Sequence, residues 1–130
     1  MVRKKNPENS QQKKIKDSFE IAFYEKILEE NPNFVEAMKV LAELYTKNKE
    51  YEKGLKLDQK LSKLLPNNEI VYYNLACSYS LLGKIDKAFE ALKKAILLGY
   101  VDFDYFFKDP DLENLRKDPR FKEILLLAKR

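Results

Sequence analysis

The chain has 130 residues and a mass of 15.4 kDa, which is the size of a single domain. Its apolar fraction of 45% excludes a disordered polyelectrolyte, and no apolar run reaches the roughly 18 residues that a membrane-spanning helix needs. The sequence has no histidine and one cysteine, Cys77, which excludes the commonest general base, the commonest zinc ligand and an intramolecular disulfide. We therefore expect a protein that is not an enzyme and that has no cofactor or metal.

The net charge of +4 comes from the N-terminus. Residues 1–16 carry six basic side chains and one acidic one, whereas the basic and acidic residues of the remaining chain nearly balance. We predict that residues 1–14 form a basic, disordered tail. The alternative function is a factor that binds nucleic acid or an anionic surface through this tail. Nucleic acid is the less favoured ligand, because no aromatic side chain lies among the lysines to stack on bases.

The first residues also lack the apolar core of a secretory signal peptide, which favours a cytoplasmic protein.

Apolar residues recur at helical spacing from about residue 13 to residue 127, and no segment alternates with period two. Asn33 with Glu36 resembles a capping box, Asn48 is placed to cap a later helix, and Gly83 suits the left-handed residue after a helix end. The fold class predicted from this pattern is all-α. The predicted helices cover, in chain order, about 15–28, 35–45, 51–65, 70–82 and 85–98.

The sequence repeats itself at a spacing of 34 residues. Leu41, Ala42 and Tyr45 recur as Leu75, Ala76 and Tyr79, and the turn at Pro32 recurs at Pro66. The small residues of such a pattern let helices approach closely, and the large ones fill the space between them. An ordinary helical bundle with accidental self-similarity is the alternative interpretation.

This pattern resembles the tetratricopeptide repeat, in which a helix–turn–helix unit recurs every 34 residues. Two positions depart from it: Asp58 stands where a large apolar residue is usual, and Tyr100 stands where proline is usual. The resemblance implies an α-solenoid over residues 15–130. We divide that domain into a partial repeat at 15–34, repeats at 35–68 and 69–102, and a C-terminal cap at 103–130.

The C-terminal residues have their own helix signals. Asp109-Pro110 and Asp118-Pro119 each place an N-cap residue before a proline suited to the first helical position, which predicts short helices over 109–117 and 118–129. We expect these helices to cover the last apolar face of the solenoid. We interpret the aromatic cluster at residues 100–107 as the core that seats this cap, and a peptide-binding platform is the alternative.

Members of the family that this sequence resembles bind extended peptides or helices on a concave surface, which is formed by the first helix of each repeat. The resemblance therefore implies a protein-interaction module, adaptor or scaffold whose ligand has an apolar anchor beside charged groups. Lys39 and Asn74 match family positions that clamp a terminal carboxylate, but Glu43 would repel one. The alternative is that these positions are solvated helix faces. The predicted groove residues are Glu36, Lys39, Glu43, Lys47, Ile70, Tyr73, Asn74, Cys77, Ser80 and Leu81.

The first helix has an apolar stripe that is broad for a terminal element, formed by Ile15, Phe19, Phe23 and Ile27. A terminal repeat normally presents a polar outer face to solvent. We therefore expect a second chain to cover the stripe if residues 1–12 do not, which would give a homodimer through this helix.

Overall fold

The computed structural model describes residues 10–128, and every regular element in that range is helical. The all-α prediction is confirmed. Within the same range no helix is long and apolar enough to cross a membrane. The elements are α1 (Ser10–Glu30), α2 (Val35–Lys47), α3 (Tyr51–Leu64), α4 (Glu69–Leu81), α5 (Ile85–Leu97), α6 (Phe103–Phe106), a 3₁₀ turn (Pro110–Leu112), α7 (Glu113–Arg116) and α8 (Arg120–Ala128).

Helices α2 to α5 form two stacked hairpins, and α1 packs against the first of them. Residues 48–50 join α2 to α3 and residues 82–84 join α4 to α5, and connections this short fold consecutive helices back on each other. A Cβ atom added at Gly54 of α3 would lie only 2.9 Å from the Thr46 hydroxyl oxygen of α2. This close approach is the packing that the small repeat residues predict, and the helical-repeat fold is confirmed.

Two apolar clusters hold the stack together. In the smaller one, Met38 of α2 packs with Leu61 of α3 and Val71 of α4, so these three helices share one interface. The larger one joins α4 and α5 to the C-terminal segment. Each hairpin thus packs against the next element along the chain, and the second hairpin is the more buried because the C-terminal segment also packs on it.

The first helix begins at Ser10, within the predicted tail. Residues 10–14 are therefore helical rather than disordered, because glutamine and lysine are good helix formers and neither glycine nor proline interrupts them. Residues 1–9, which carry the rest of the predicted tail, lie outside the described residues.

The helix ends differ in part from the sequence prediction. Phe34 is the N-cap of α2 and no side chain caps it, so the predicted capping box at Asn33 does not form. Asn48 does not cap α3, because its amide donates instead to the Leu44 carbonyl oxygen at 2.8 Å and to Asp17 Oδ2 at 3.1 Å. Gly83 has φ of +73° and ends α4 in the left-handed conformation, as predicted.

Asp58 is buried between α3 and α4 with 5% of its surface exposed. The Ser78 hydroxyl donates a hydrogen bond to Asp58 Oδ2 at 2.5 Å. The polar residue that departs from the repeat pattern therefore has a partner in the next repeat. Burial outweighs this hydrogen bond and raises the pKa of Asp58 to about 6.

We expect Asp58→Asn to stabilise the protein near neutral pH by about 1–3 kcal/mol. The folded-state pKa is about 6 and the ordinary value is 3.8, so the native state resists ionisation. The contribution of protonated Asp58 to the free energy of unfolding is complete below about pH 4. It falls as the pH rises to about 6 and stays low above that. Asparagine has no charge to desolvate and can still accept from Ser78. Urea unfolding at pH 4 and pH 7.5 measures the effect.

The control for that measurement is Glu52→Gln, which changes the net charge equally at an exposed position of α3. We expect Asp58→Asn to gain stability over the parent at pH 7.5 but not at pH 4. An equal difference at both pH values would contradict the assignment of the shift to Asp58.

The segment from residue 100 to residue 128 packs against the second hairpin, and we call it the cap. The predicted boundary of the cap at residue 103 stays a prediction. Asp109 caps the 3₁₀ turn by accepting from the Asp111 N–H at 2.9 Å, and Asp118 Oδ1 accepts from the Arg120 N–H at 2.9 Å. Arg120 also forms an ion pair of 2.7 Å with Asp86, which ties α8 to α5. The helical turn α6 was not predicted as a separate element.

Candidate functional site

Six of the ten predicted groove residues are exposed. Glu36, Lys39, Glu43 and Lys47 lie along α2, and Ile70 and Asn74 lie on α4. We call these six residues the open face.

Three other predicted groove residues are buried. Tyr73 and Cys77 each expose 6% of their surface, and Ser80 exposes none. Leu81, at the end of the same helix, is half-buried. The prediction of an open groove is therefore corrected for Tyr73, Cys77 and Ser80, because this face of α4 is covered by the chain's own C-terminal segment.

The cover is held on α4 by hydrogen bonds and ring stacking. The Tyr73 hydroxyl donates to Asp109 Oδ2 at 2.5 Å, and the Asn114 amide donates to the Ser80 carbonyl oxygen at 2.9 Å. The Tyr73 ring stacks on Tyr100 with ring centroids 4.3 Å apart and on Phe106 at 5.9 Å. The rings of Tyr100 and Phe106 thus pack the cap against α4, in agreement with the interpretation of the aromatic cluster as the core that seats the cap.

Arg116 fixes the shape of the covering segment. One guanidinium nitrogen, Nη1, donates at 2.7 Å to each of two carbonyl oxygens, those of Phe106 and Asp109. A buried carbonyl needs a donor, and a charged donor makes a stronger bond than a neutral one. Arg116 therefore holds the loop that carries Asp109 against α4.

Cys77 is a packed thiol rather than a reactive one. Burial raises the pKa of Cys77 well above its ordinary value, and the nearby Asp109 carboxylate raises it further. A thiol must lose its proton to act as a nucleophile. Burial also raises the pKa of the Tyr73 hydroxyl, which stays protonated and can donate to Asp109.

The same region brings together three groups of the kind that bind metals. The sulfur of Cys77 and carboxylate oxygens of Asp109 and Asp111 lie within 4.8 Å of one another. The oxygens of Asp109 already accept from the Tyr73 hydroxyl and from the Asp111 N–H. These hydrogen bonds account for the arrangement as a helix cap, and we assign no metal to it.

The open face carries charges of both signs. The charges alternate in sign along α2 in the order Glu36, Lys39, Glu43 and Lys47. The Lys39 Nζ atom lies 3.9 Å from Glu36 Oε1. Lys47 also lies 3.6 Å from Asp17 of α1, whose side chain is buried. The alternation leaves the face nearly neutral, so it offers polar contacts without a strong field of one sign.

The stripe on α1 is largely exposed to solvent. Ile15 exposes 65% of its surface, Phe19 77% and Phe23 55%, whereas Ile27 is half-buried. The alternative function, binding of nucleic acid or an anionic surface, rests on basic residues in two places. Lys13, Lys14 and Lys16 lie on α1, and the others fall in residues 1–9, which lie outside the described residues.

Comparison with known proteins identifies the repeats. Residues 23–56 and residues 70–98 each match a family model described as tetratricopeptide repeat. The first match covers the end of α1, all of α2 and the start of α3, and the second covers most of the α4–α5 hairpin. The chain is a tetratricopeptide repeat protein, and repeats of this family are in general protein-interaction modules. Proteins of the family are in general non-catalytic scaffolds.

The chain is also similar to a chloroplastic protein of Arabidopsis thaliana. The two are 37% identical over 84 residues, which make up 62% of this chain and 25% of the relative. This chain therefore spans about a quarter of that relative's length.

Proposed function

We propose that this protein is a non-catalytic adaptor that binds a peptide or helix of a partner protein on the open face. The observation that supports the proposal is that the C-terminal segment covers one part of the predicted groove and leaves the rest exposed. The first helix of the second hairpin is covered over Tyr73, Cys77 and Ser80, whereas α2 carries four exposed charged residues. Partner contacts are therefore expected on α2 and at Ile70 and Asn74 of α4.

The chemistry of the open face suggests the kind of ligand. Ile70 exposes 51% of its surface and provides an apolar contact, while Asn74 one turn later offers an amide that can donate and accept. Met38 of α2 and Val71 of α4 belong to one buried cluster with Leu61 of α3, so the two helices share part of the core. We expect a segment with one apolar anchor and charged residues of both signs, because peptide recognition needs a desolvated anchor and complementary polar contacts.

A ligand held mainly by a terminal carboxylate is not part of this proposal, because the Glu43 carboxylate lies one turn from Lys39 on the same helix and would repel it.

The cytoplasmic location expected from the sequence also stays a prediction. The name of the Arabidopsis relative assigns that protein to the chloroplast.

We expect a double substitution, Lys39→Glu with Ile70→Asp, to reduce partner capture at least about tenfold. It reverses one charge and places a second charge where the apolar anchor would be desolvated. Quantitative mass spectrometry of proteins retained by the full chain would measure the change, and an array of peptides from the retained proteins would locate the bound segment.

The matched control is Lys93→Glu with Leu97→Asp, which makes the same changes at exposed positions of α5 outside the open face. Circular dichroism would establish that both variants are folded. Equal loss of partners in both variants, or no loss in either, would contradict the proposal.

A further inference from the structure

The apolar stripe on α1 is exposed among the residues that the structure describes. Ile15, Phe19 and Phe23 lie four residues apart, so they share one helix face, and each exposes more than half of its surface. The opposite side of α1 faces α2, where Asp17 contacts Asn48 and Lys47. A row of three large apolar side chains in water is unfavourable, and contiguous patches of this kind mark interaction sites.

The other repeats show that the repeat itself does not require apolar residues at the start of this stripe. Shifted by the repeat length, Phe19 corresponds to Lys53 and Lys87, and both of these lysines are exposed. Ile15 corresponds in the same way to Lys49, which is also exposed. The apolar side chains at 15 and 19 are therefore specific to α1.

We propose that this face of α1 binds the same face of a second copy, with the two helices antiparallel. Phe19 lies midway between Ile15 and Phe23, so a two-fold axis at Phe19 places each Phe19 on its counterpart and each Ile15 on the Phe23 of the other copy. This self-complementary arrangement uses the three exposed apolar side chains of the stripe on each copy, so the contact closes on itself as a dimer.

The charges of α1 favour the antiparallel direction. Its first seven residues carry three lysines and no acid, at positions 13, 14 and 16. Its last seven carry three glutamates and one lysine, at positions 25, 29, 30 and 26. An antiparallel pair brings the basic end of each helix beside the acidic end of the other, whereas a parallel pair aligns like charges.

The size of the stripe indicates a weak dimer. Six large apolar side chains, three from each copy, bury about 800 Å² in total, which is below the range of stable interfaces. We therefore expect a dissociation constant of about 10–100 µM, within the range that sedimentation velocity and light scattering can follow.

The first test measures the oligomeric state of the full chain at concentrations from about 5 to about 500 µM. We expect the apparent mass to rise with concentration, and Phe19→Lys to weaken association at least about tenfold. The matched control is Leu126→Lys on α8, where the side chain is 68% exposed. Circular dichroism of both variants keeps a loss of folding distinct from a loss of association. A monomer throughout, or equal weakening by the control, would overturn the proposal.

The second test determines the direction of the helices. Two variants, Ile15→Cys and Phe23→Cys, are made with Cys77 replaced by alanine, and they are oxidised separately and as a mixture. The antiparallel register predicts that the mixture cross-links faster than either variant alone, because residue 15 of one copy faces residue 23 of the other. Faster cross-linking of Ile15→Cys with itself would overturn the register. Salt above about 0.5 M should weaken the wild-type dimer if the charged ends contribute.

Discussion

Replacing Phe106 with alanine is expected to lower the free energy of unfolding by about 3–5 kcal/mol. Phe106 is fully buried and stacks with the rings of Tyr73 and Tyr100, with centroids 5.9 and 5.5 Å away, so its removal leaves a cavity between α4 and the cap. Denaturant unfolding monitored by circular dichroism measures the loss.

The neighbouring residue gives a matched control. Phe107 is 57% exposed, and its ring meets Phe121 edge-on at 6.1 Å, so Phe107→Ala is expected to cost about 1 kcal/mol or less. Cys77 provides a second readout, because it lies beneath the same segment and reacts with a thiol reagent only when that segment opens. We expect faster labelling of Cys77 in Phe106→Ala than in Phe107→Ala. Similar stability and labelling in the two variants would show that Phe106 does not seat the cap.

Asp109→Ala is expected to destabilise the protein by about 2–4 kcal/mol. The substitution removes the N-cap of the 3₁₀ turn and leaves the buried Tyr73 hydroxyl without its acceptor. Asp109→Asn keeps one side-chain oxygen, which can still accept from the Asp111 N–H and preserve the cap, so we expect it to cost less. Equilibrium unfolding in guanidinium chloride distinguishes the two substitutions.

A double-mutant cycle separates the cap from the contact with α4. Tyr73→Phe removes only the hydroxyl, so Asp109→Ala should cost about 1–2 kcal/mol less when Tyr73 is already phenylalanine. The loss of stability caused by Asp109→Ala is then smaller because no buried hydroxyl is left unpaired. Strictly additive losses would mean that the Tyr73–Asp109 hydrogen bond does not hold the segment on α4.

Local signals predicted most of the fold. The spacing of apolar residues placed α2 to α5, and Gly83 marked a helix end, because both depend on residues within a few positions of each other. Asp109 and Asp118 cap as predicted, whereas Asn33 does not cap and Asn48 bonds to α1. An asparagine that can cap a helix can equally bond to a neighbouring helix, and only tertiary packing decides which.

The site was harder to predict because the exposure of its α4 residues depends on a contact with residues distant in sequence. The pattern of Tyr73, Cys77 and Ser80 on one side of α4 is the same whether that side faces solvent or another part of the chain. The Tyr73–Asp109 hydrogen bond joins residues 36 positions apart, and periodicity carries no information about such a pair. A usable signal was present in the polar end of Tyr73, whose hydroxyl suits a surface that meets a hydrogen-bond acceptor.

The cap also makes the two ends of the molecule unequal as building sites. Residues 100–128 cover the last hairpin, so a further helical unit would have to displace this segment to pack on α4. At the other end, α1 still presents apolar side chains to solvent. We therefore expect lengthening of this architecture, whether by gene duplication or by an engineer, to disturb the existing packing less at its N-terminal side.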